Sequence, residues 1–130
     1  MKMILLLSSL ILSINTWADK SDDDCQTFLN HINKKEYTKT WDNAATYFQK
    51  AISKEQWNKS LEAVHTPLGK VFSRKQISKT PKSKLPGAPD GSYIIYQFQS
   101  SFAKKTTAVE TITFLESPKN SWKLVGYYIK

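Results

Sequence analysis

Glu110 is the side chain whose type and position point most directly to chemistry. The alternating pattern around it places it on the same face of a predicted strand as Ala108, Ile112 and Phe114, the face we expect to be buried. A buried carboxylate is costly unless it is paired. Glu110 is therefore predicted either to act as a general base or ligand-binding acid in a pocket, or to form a structural salt bridge. Arg74, the only arginine of the chain, is the natural partner for that salt bridge.

The two histidines and the single cysteine have no spacing typical of a catalytic or metal site. We expect His31 to be solvated, and His65 to lie at a helix C-terminus, where the helix dipole favours it. Cys25 cannot form an internal disulfide. It is expected to be a small buried side chain, the alternative being an exposed thiol that dimerises the protein. No catalytic motif, metal or cofactor is predicted.

A basic stretch occupies the middle of the chain. It contains Lys70, Arg74, Lys75, Lys79, Lys82 and Lys84, with no acidic residue among them. The stretch is predicted to bind an anionic partner, such as lipid headgroups or a polyanionic glycan, or to be a solvated edge strand whose lysines discourage aggregation. Nucleic acid is not expected, because only one of the 19 basic residues is arginine, the residue that bidentate base recognition favours.

Aromatic residues with a polar edge are frequent towards the C-terminus. Tyr93, Tyr96, Tyr127 and Tyr128, together with Trp122, are predicted either to line a ligand pocket or to belong to the core.

The elements that must position these residues begin with helices. Ser21 is a predicted N-cap for a helix over residues 22–34, whose apolar residues have helical spacing. A second helical pattern runs over residues 37–52 without Gly or Pro. Ser53 opens a capping box for a third helix, which is predicted to end before Pro67.

Alternation replaces the helical pattern after Gly69. Residues 70–80 are predicted to form a weak strand, and residues 79–91, with three prolines, a loop. Three further strands are predicted at 93–102, 107–116 and 122–129. The fold class is therefore α+β, with three N-terminal helices packed on a four-stranded antiparallel sheet, in a nuclear transport factor two-like or cystatin-like arrangement.

The 130 residues are enough for one domain behind a leader. Lys2, the apolar run Ile4–Ile14 and Ala18 have the pattern of a signal peptide cleaved after Ala18, the alternative being an uncleaved anchor. The mature domain would be residues 19–130, with its formal net charge lowered from +8 to +7 by the loss of Lys2. We expect a periplasmic or secreted protein with no transmembrane segment in the mature chain.

Several short segments together, in their order and spacing, resemble the bacterial domain of unknown function 4019 family. They are Tyr37 to Trp41, Trp57, Pro67-Leu68-Gly69, Ser73-Arg74, the segment from Leu85 to Gly91, Tyr93, Phe98, Glu110 and the ending from Trp122 to Tyr128. The resemblance implies a small exported or membrane-tethered α+β domain and no established activity. His65 stands where we expect the family to carry an arginine.

These observations lead to two functional hypotheses. The first is an exported, non-enzymatic binding domain that engages an envelope component or a protein partner. The alternative is a small-molecule binder or isomerase-like enzyme whose sheet-lined pocket contains Glu110. An enclosed cavity reached by the Glu110 carboxylate would favour the second hypothesis, and a closed core with Glu110 paired to Arg74 the first.

Overall fold

The computed structural model describes residues 19–130, so the predicted signal peptide lies outside the described residues. Four helices come first: α1 (Lys20–Asn33), α2 (Tyr37–Asp42), α3 (Thr46–Ala51) and α4 (Lys54–Leu68). Four strands follow: β1 (Val71–Lys82), β2 (Tyr93–Phe102), β3 (Lys105–Glu116) and β4 (Trp122–Ile129). The fold class is α+β and the helices precede a four-stranded antiparallel sheet, both as predicted, with four helices where three were expected. No helix in this part of the chain has the length and apolar character needed to cross a membrane.

The sheet is an antiparallel meander in the order β1-β2-β3-β4, with β1 and β4 at its edges. Arg74 on β1 is the cross-strand partner of Ser100 on β2. Ser100 in turn lies opposite Ala108, two residues before Glu110 on β3. Since side chains alternate between the faces of a strand, Arg74, Ser100 and Glu110 share the face that carries the helices.

The core lies between the helices and this face of the sheet. Ile112 and Phe114 of β3 are buried there. The ring of Phe28 from α1 packs edge to face against the ring of Phe114, with the ring centroids 6.1 Å apart. Trp57 of α4 donates its ring N–H to Thr40 Oγ1 at 2.9 Å, so its polar atom is satisfied inside the core. Cys25 is buried, as predicted.

The prediction of one continuous second helix over residues 37–52 is wrong. The segment is divided into α2 and α3 because the connection pairs with the sheet: Ala44 forms a bridge with Leu124, and the Ala45 N–H donates to the Leu124 carbonyl at 2.9 Å. The Trp41 carbonyl at the end of α2 accepts the Ala44 N–H at 3.0 Å and also Gln49 Nε2 at 2.9 Å.

Two predicted helix ends also differ. Asp19, rather than Ser21, caps α1, because the Asp19 carboxylate accepts the Asp22 N–H at 3.1 Å. Ser21 is instead buried, with its Oγ 2.8 Å from the Tyr96 hydroxyl oxygen. Helix α4 passes through Pro67 and ends at Leu68, followed by Gly69 with φ of 73°.

The predicted loop over residues 79–91 begins later than expected. Thr80, Pro81 and Lys82 continue β1 and pair with the start of β2. Pro81 is tolerated there because β1 is an edge strand, whose outward-facing N–H groups are not required by the sheet.

Candidate functional site

The Glu110 carboxylate is at the centre of a buried polar network. Arg74 donates to both of its oxygens, from Nε to Oε1 at 2.5 Å and from Nη2 to Oε2 at 3.3 Å. Ser100 Oγ donates to Oε1 and the Tyr127 hydroxyl to Oε2, each at 2.5 Å. An ionised carboxylate offers about four acceptor positions, and these four hydrogen bonds occupy them.

Ionisation of Glu110 is favoured by these partners. Burial on its own would raise the pKa of Glu110, but the hydrogen bonds and charge of Arg74, together with Ser100 and Tyr127, outweigh it and hold the pKa below its ordinary value. Burial and the adjacent carboxylate raise the pKa of Tyr127. The network therefore consists of an ionised glutamate, a charged arginine and a neutral tyrosine.

His65 joins this network through its Nε2, which lies 3.2 Å from the Tyr127 hydroxyl oxygen. The single hydroxyl proton of Tyr127 is donated to Glu110, so we assign the proton of a neutral His65 to Nε2, which donates to Tyr127. Burial lowers the pKa of His65 and favours that neutral form. The His65 ring stacks on Tyr127 at 6.0 Å and on Tyr37 at 6.1 Å, giving a stack of three rings.

A cleft of about 510 Å³ opens beside this network, where the ends of α1 and α4 meet the starts of α2 and β1. Its lining consists of Ile32, Asn33, Lys35, Tyr37, His65, Thr66, Gly69, Lys70, Val71, Arg74 and Phe102. The volume is within the range of small-molecule sites. Glu110 does not line it, because Arg74 and His65 lie between the carboxylate and the cleft.

The cleft combines hydrogen-bond donors with aromatic walls. Of the five N–H groups of Arg74, two bond to Glu110 and one to Asn33 Oδ1, at 2.6 Å, so two have no hydrogen-bond partner within residues 19–130. Lys35 and Lys70 are exposed at the rim, and the lining contains no aspartate or glutamate. The arrangement can bind an anionic group against the rings of Tyr37 and His65.

The structure does not gather the basic stretch into one patch. Lys70 is at the cleft, whereas Lys82 lies at the opposite end of β1. With the usual rise per residue of a β-strand, the two are about 40 Å apart. Lys75 points to the sheet face opposite Arg74, and Lys84 lies beyond the strand in the following loop.

Lys79 is engaged within the protein. Its Nζ contacts Asp19 at 2.7 Å and Asp22 at 2.9 Å, which ties β1 to the start of α1. The hydrogen bond from Lys79, with that from Ser21, lowers the pKa of Asp19 to about 2. Lys79 therefore joins β1 to the start of α1.

The five aromatic residues predicted for a pocket lie in four different environments, with Tyr127 in the network around Glu110. Tyr93 and Trp122 border a shallow depression of about 390 Å³. Tyr96 is buried, and its hydroxyl donates to Asp22 Oδ1 at 2.7 Å. Tyr128 is exposed on the outer sheet face. Among residues 19–130 the five do not form one pocket.

No local pattern in the sequence predicts that Lys35, Tyr37 and Tyr127 lie near Arg74. Lys35 and Tyr37 are two positions apart, but Tyr127 is near the other end of the chain, and His65 was predicted only to lie at a helix end. The spacing of residues in a helix indicates which face a side chain is on, but not which distant ring it will contact. His65 is 62 residues from Tyr127, so no local spacing connects them.

Comparison with known proteins supports the family resemblance. The model of a family described as protein of unknown function (DUF4019) matches residues 24–127. The match covers most of the chain, so the protein belongs to this family. No curated protein matches the sequence. In the described residues, no group of three or more His, Cys, Asp or Glu side chains is arranged to hold a metal ion.

Proposed function

We propose that this member of the DUF4019 family is an exported, non-enzymatic binding domain whose cleft receives an anionic group of an envelope component. The observation that carries the proposal is the lining of the cleft. Lys35 and Lys70 lie exposed at its rim, Arg74 forms part of its lining, and the lining has no acidic side chain.

The position of Glu110 favours binding over catalysis by this carboxylate. A general base must reach the proton that it removes, with a lone pair to accept it. All four acceptor positions of Glu110 are used by Arg74, Ser100 and Tyr127, and the side chain is fully buried. Its role in this proposal is to hold Arg74 in position beside the cleft.

The side chains that line the cleft indicate the chemistry of its ligand. Carboxylate and phosphate groups match the paired N–H donors of an arginine and the charge of lysines. The rings of Tyr37, His65 and Phe102 provide an apolar surface next to these donors. A molecule with an anionic group and an adjoining apolar or aromatic part would satisfy both.

Export is proposed from the leader, Lys2 followed by the apolar run Ile4–Ile14 and Ala18. Mass spectrometry of the protein from the envelope and culture fractions of its host tests this. A mature N-terminus at Asp19 would support the proposal. Full-length protein retained in the cytoplasm would contradict it.

Titration with anilinonaphthalene sulfonate, a fluorescent aromatic anion, tests the cleft. Lys35→Glu and Lys70→Glu should each weaken its binding by roughly tenfold, and added salt should weaken it further. Lys59→Glu, an equal charge change on the exposed face of α4, is the matched control and should bind like the wild type. Unfolding curves of all variants establish that the fold is kept. Binding that is equal in all four proteins would overturn the proposal.

A further inference from the structure

The two edge strands of the sheet, β1 and β4, differ in the hydrogen bonds of their outer edges. The edge strand β4 is engaged by the helical half: the Ala45 N–H donates to the Leu124 carbonyl at 2.9 Å, and Asp24 Oδ2 accepts the Trp122 N–H at 2.8 Å. Along β1 the hydrogen bonds of the backbone over residues 72–82, within the described chain, run only to β2. In an antiparallel strand alternate residues direct their N–H and C=O groups away from the partner. The outer edge of β1 therefore presents a row of open donors and acceptors.

The first half of β1 has the space for an added strand. A groove of about 320 Å³ lies between this half and α1, with Phe72 and Phe98 in its lining. Phe72 is 66% exposed, the largest exposure among the exposed large apolar side chains of the described residues. A bulge between Gln76 and Ser78 bends the strand, and Pro81 has no N–H. The most regular open edge is therefore residues 73–76.

The charges around this edge determine what it can pair with. Lys70 and Lys75 are exposed on or beside the strand. The acidic side chains that contact β1 are already bound, Glu110 to Arg74 and both Asp19 and Asp22 to Lys79. A second copy of this strand would bring lysines next to lysines, and like charges on neighbouring strands are destabilising. An acidic strand would place opposite charges there instead.

We propose that the outer edge of β1, residues 73–76, binds an extended acidic segment of another protein as a fifth strand of the sheet. The alternation of β1 sets the pattern of that segment. Acidic side chains on one face lie beside Lys75, on the outer face of the sheet, and apolar side chains on the other face lie in the groove against Phe72 and Phe98. This surface is separate from the proposed ligand cleft, although Asn33, Val71 and Arg74 border both.

The test uses a seven-residue blocked peptide of alternating glutamate and valine, titrated into the isotope-labelled protein by NMR. The amide signals of residues 72–76 are expected to shift, with affinity that falls as salt is added. Lys75→Glu should weaken binding by at least tenfold, while the control variant Lys59→Glu should bind normally. A peptide of alternating lysine and valine, and a glutamate–valine peptide methylated on alternate backbone nitrogens, should not bind.

Four outcomes would overturn the proposal. These are no shifts at millimolar peptide, shifts confined to Tyr37, His65 and the rest of the cleft, equal binding of the methylated peptide, or concentration-dependent shifts of β1 without peptide. The last would assign this edge to a second copy of the chain. Since anilinonaphthalene sulfonate reports the cleft and the peptide reports β1, either proposal can fail while the other stands.

Discussion

Two hydrogen bonds join the side chains of Arg74 and Glu110, which are 36 positions apart in sequence. The glutamate side chain is fully buried and the arginine side chain is 11% exposed. The pair links edge strand β1 to central strand β3 across β2, whose Ser100 donates to the same carboxylate. Removal of either charge would leave the other in a poorly solvated site.

Arg74→Met should lower the free energy of unfolding by about 3–5 kcal/mol, because it leaves the Glu110 charge buried without its partner. The double variant Arg74→Met with Glu110→Gln should recover a large part of this loss, since neither side chain is then charged. Urea unfolding followed by tryptophan fluorescence measures both. If the double variant is as unstable as the sum of the two single variants, the pair is not energetically coupled.

The pairing of Arg74 with Glu110 also predicts a role for Glu110 in ligand binding. If Glu110 holds Arg74 beside the cleft, Glu110→Gln should weaken the binding of the anionic probe in protein that is still folded. Ser100→Ala, which removes a different donor to the same carboxylate, is the control for a general loosening of the network. A Glu110→Gln variant that is fully stable but no longer binds would contradict a structural role for the carboxylate and favour a direct contact with ligand.

Stability should fall as the solution is acidified below about pH 6.5. Burial lowers the pKa of His65 from its ordinary value of 6.5, so the unfolded chain takes up this proton at a higher pH than the folded protein does. The stabilising effect is complete above the unfolded-state pKa and is lost as the pH drops through the folded-state pKa. A second loss should begin below the ordinary value of 4.5 for Glu110, whose pKa is also lowered on folding.

The histidine contribution can be isolated by substitution. His65→Gln keeps an N–H donor near Tyr127 but does not titrate, so it should flatten the pH dependence between pH 7 and pH 5. His31→Gln, at the only other histidine, serves as the matched control. Denaturant midpoints measured at a series of pH values provide the comparison. A pH dependence abolished by His31→Gln and kept in His65→Gln would refute this assignment.

The strand half of the fold follows closely from the sequence. In β3 the alternation of Ala108, Glu110, Ile112 and Phe114 points one side of the strand to the core, and all four are buried. Alternation is a local property, so it is readable without knowing the partner strands. The glutamate breaks the apolar pattern and so identifies itself as a residue that needs a partner.

The helical half and the cleft depend on contacts that no local pattern contains. The break between α2 and α3 arises because the Ala45 N–H finds the Leu124 carbonyl, a group far along the chain. The sequence there has helical spacing and neither Gly nor Pro, so local propensity alone favours one helix. The ring stack of Tyr37, His65 and Tyr127 likewise joins α2, α4 and β4, and it exists only once the helices pack on the sheet.

Cys25 should resist thiol reagents in the folded protein. The side chain is buried, and burial raises the pKa of the thiol to about 12, so very little thiolate is present at pH 8. Reaction with Ellman's reagent should be at least a hundredfold slower in buffer than in unfolding concentrations of urea. A rapid reaction of the native protein, or a dimer that disappears with reductant, would show instead that the thiol is accessible.

Gly69 sets the turn from α4 into β1, and its replacement should disturb both stability and the cleft. Its φ of 73° is strained for other residues, and an added Cβ would lie 3.2 Å from the Cβ of Ala103. Gly69→Ala should therefore cost about 1–3 kcal/mol of unfolding free energy. Gly126→Ala is the control: Gly126 has no positive φ, and its Cβ would be 3.8 Å from the nearest atom, in Thr113.

The same substitution tests whether the turn positions the cleft. Gly69 and Lys70 both line it, and the Gly69 N–H bonds to the His65 carbonyl at 3.1 Å. A shift of this turn moves Lys70 relative to Arg74, so Gly69→Ala should weaken anilinonaphthalene sulfonate binding in solutions where the variant is still fully folded. Gly126→Ala should leave both unfolding and probe binding unchanged, because Gly126 does not line the cleft and an added Cβ there makes only an ordinary van der Waals contact with Thr113. Loss of stability in Gly69→Ala with wild-type probe affinity would mean that the probe does not bind beside this turn, and the binding site would have to be sought elsewhere on the domain.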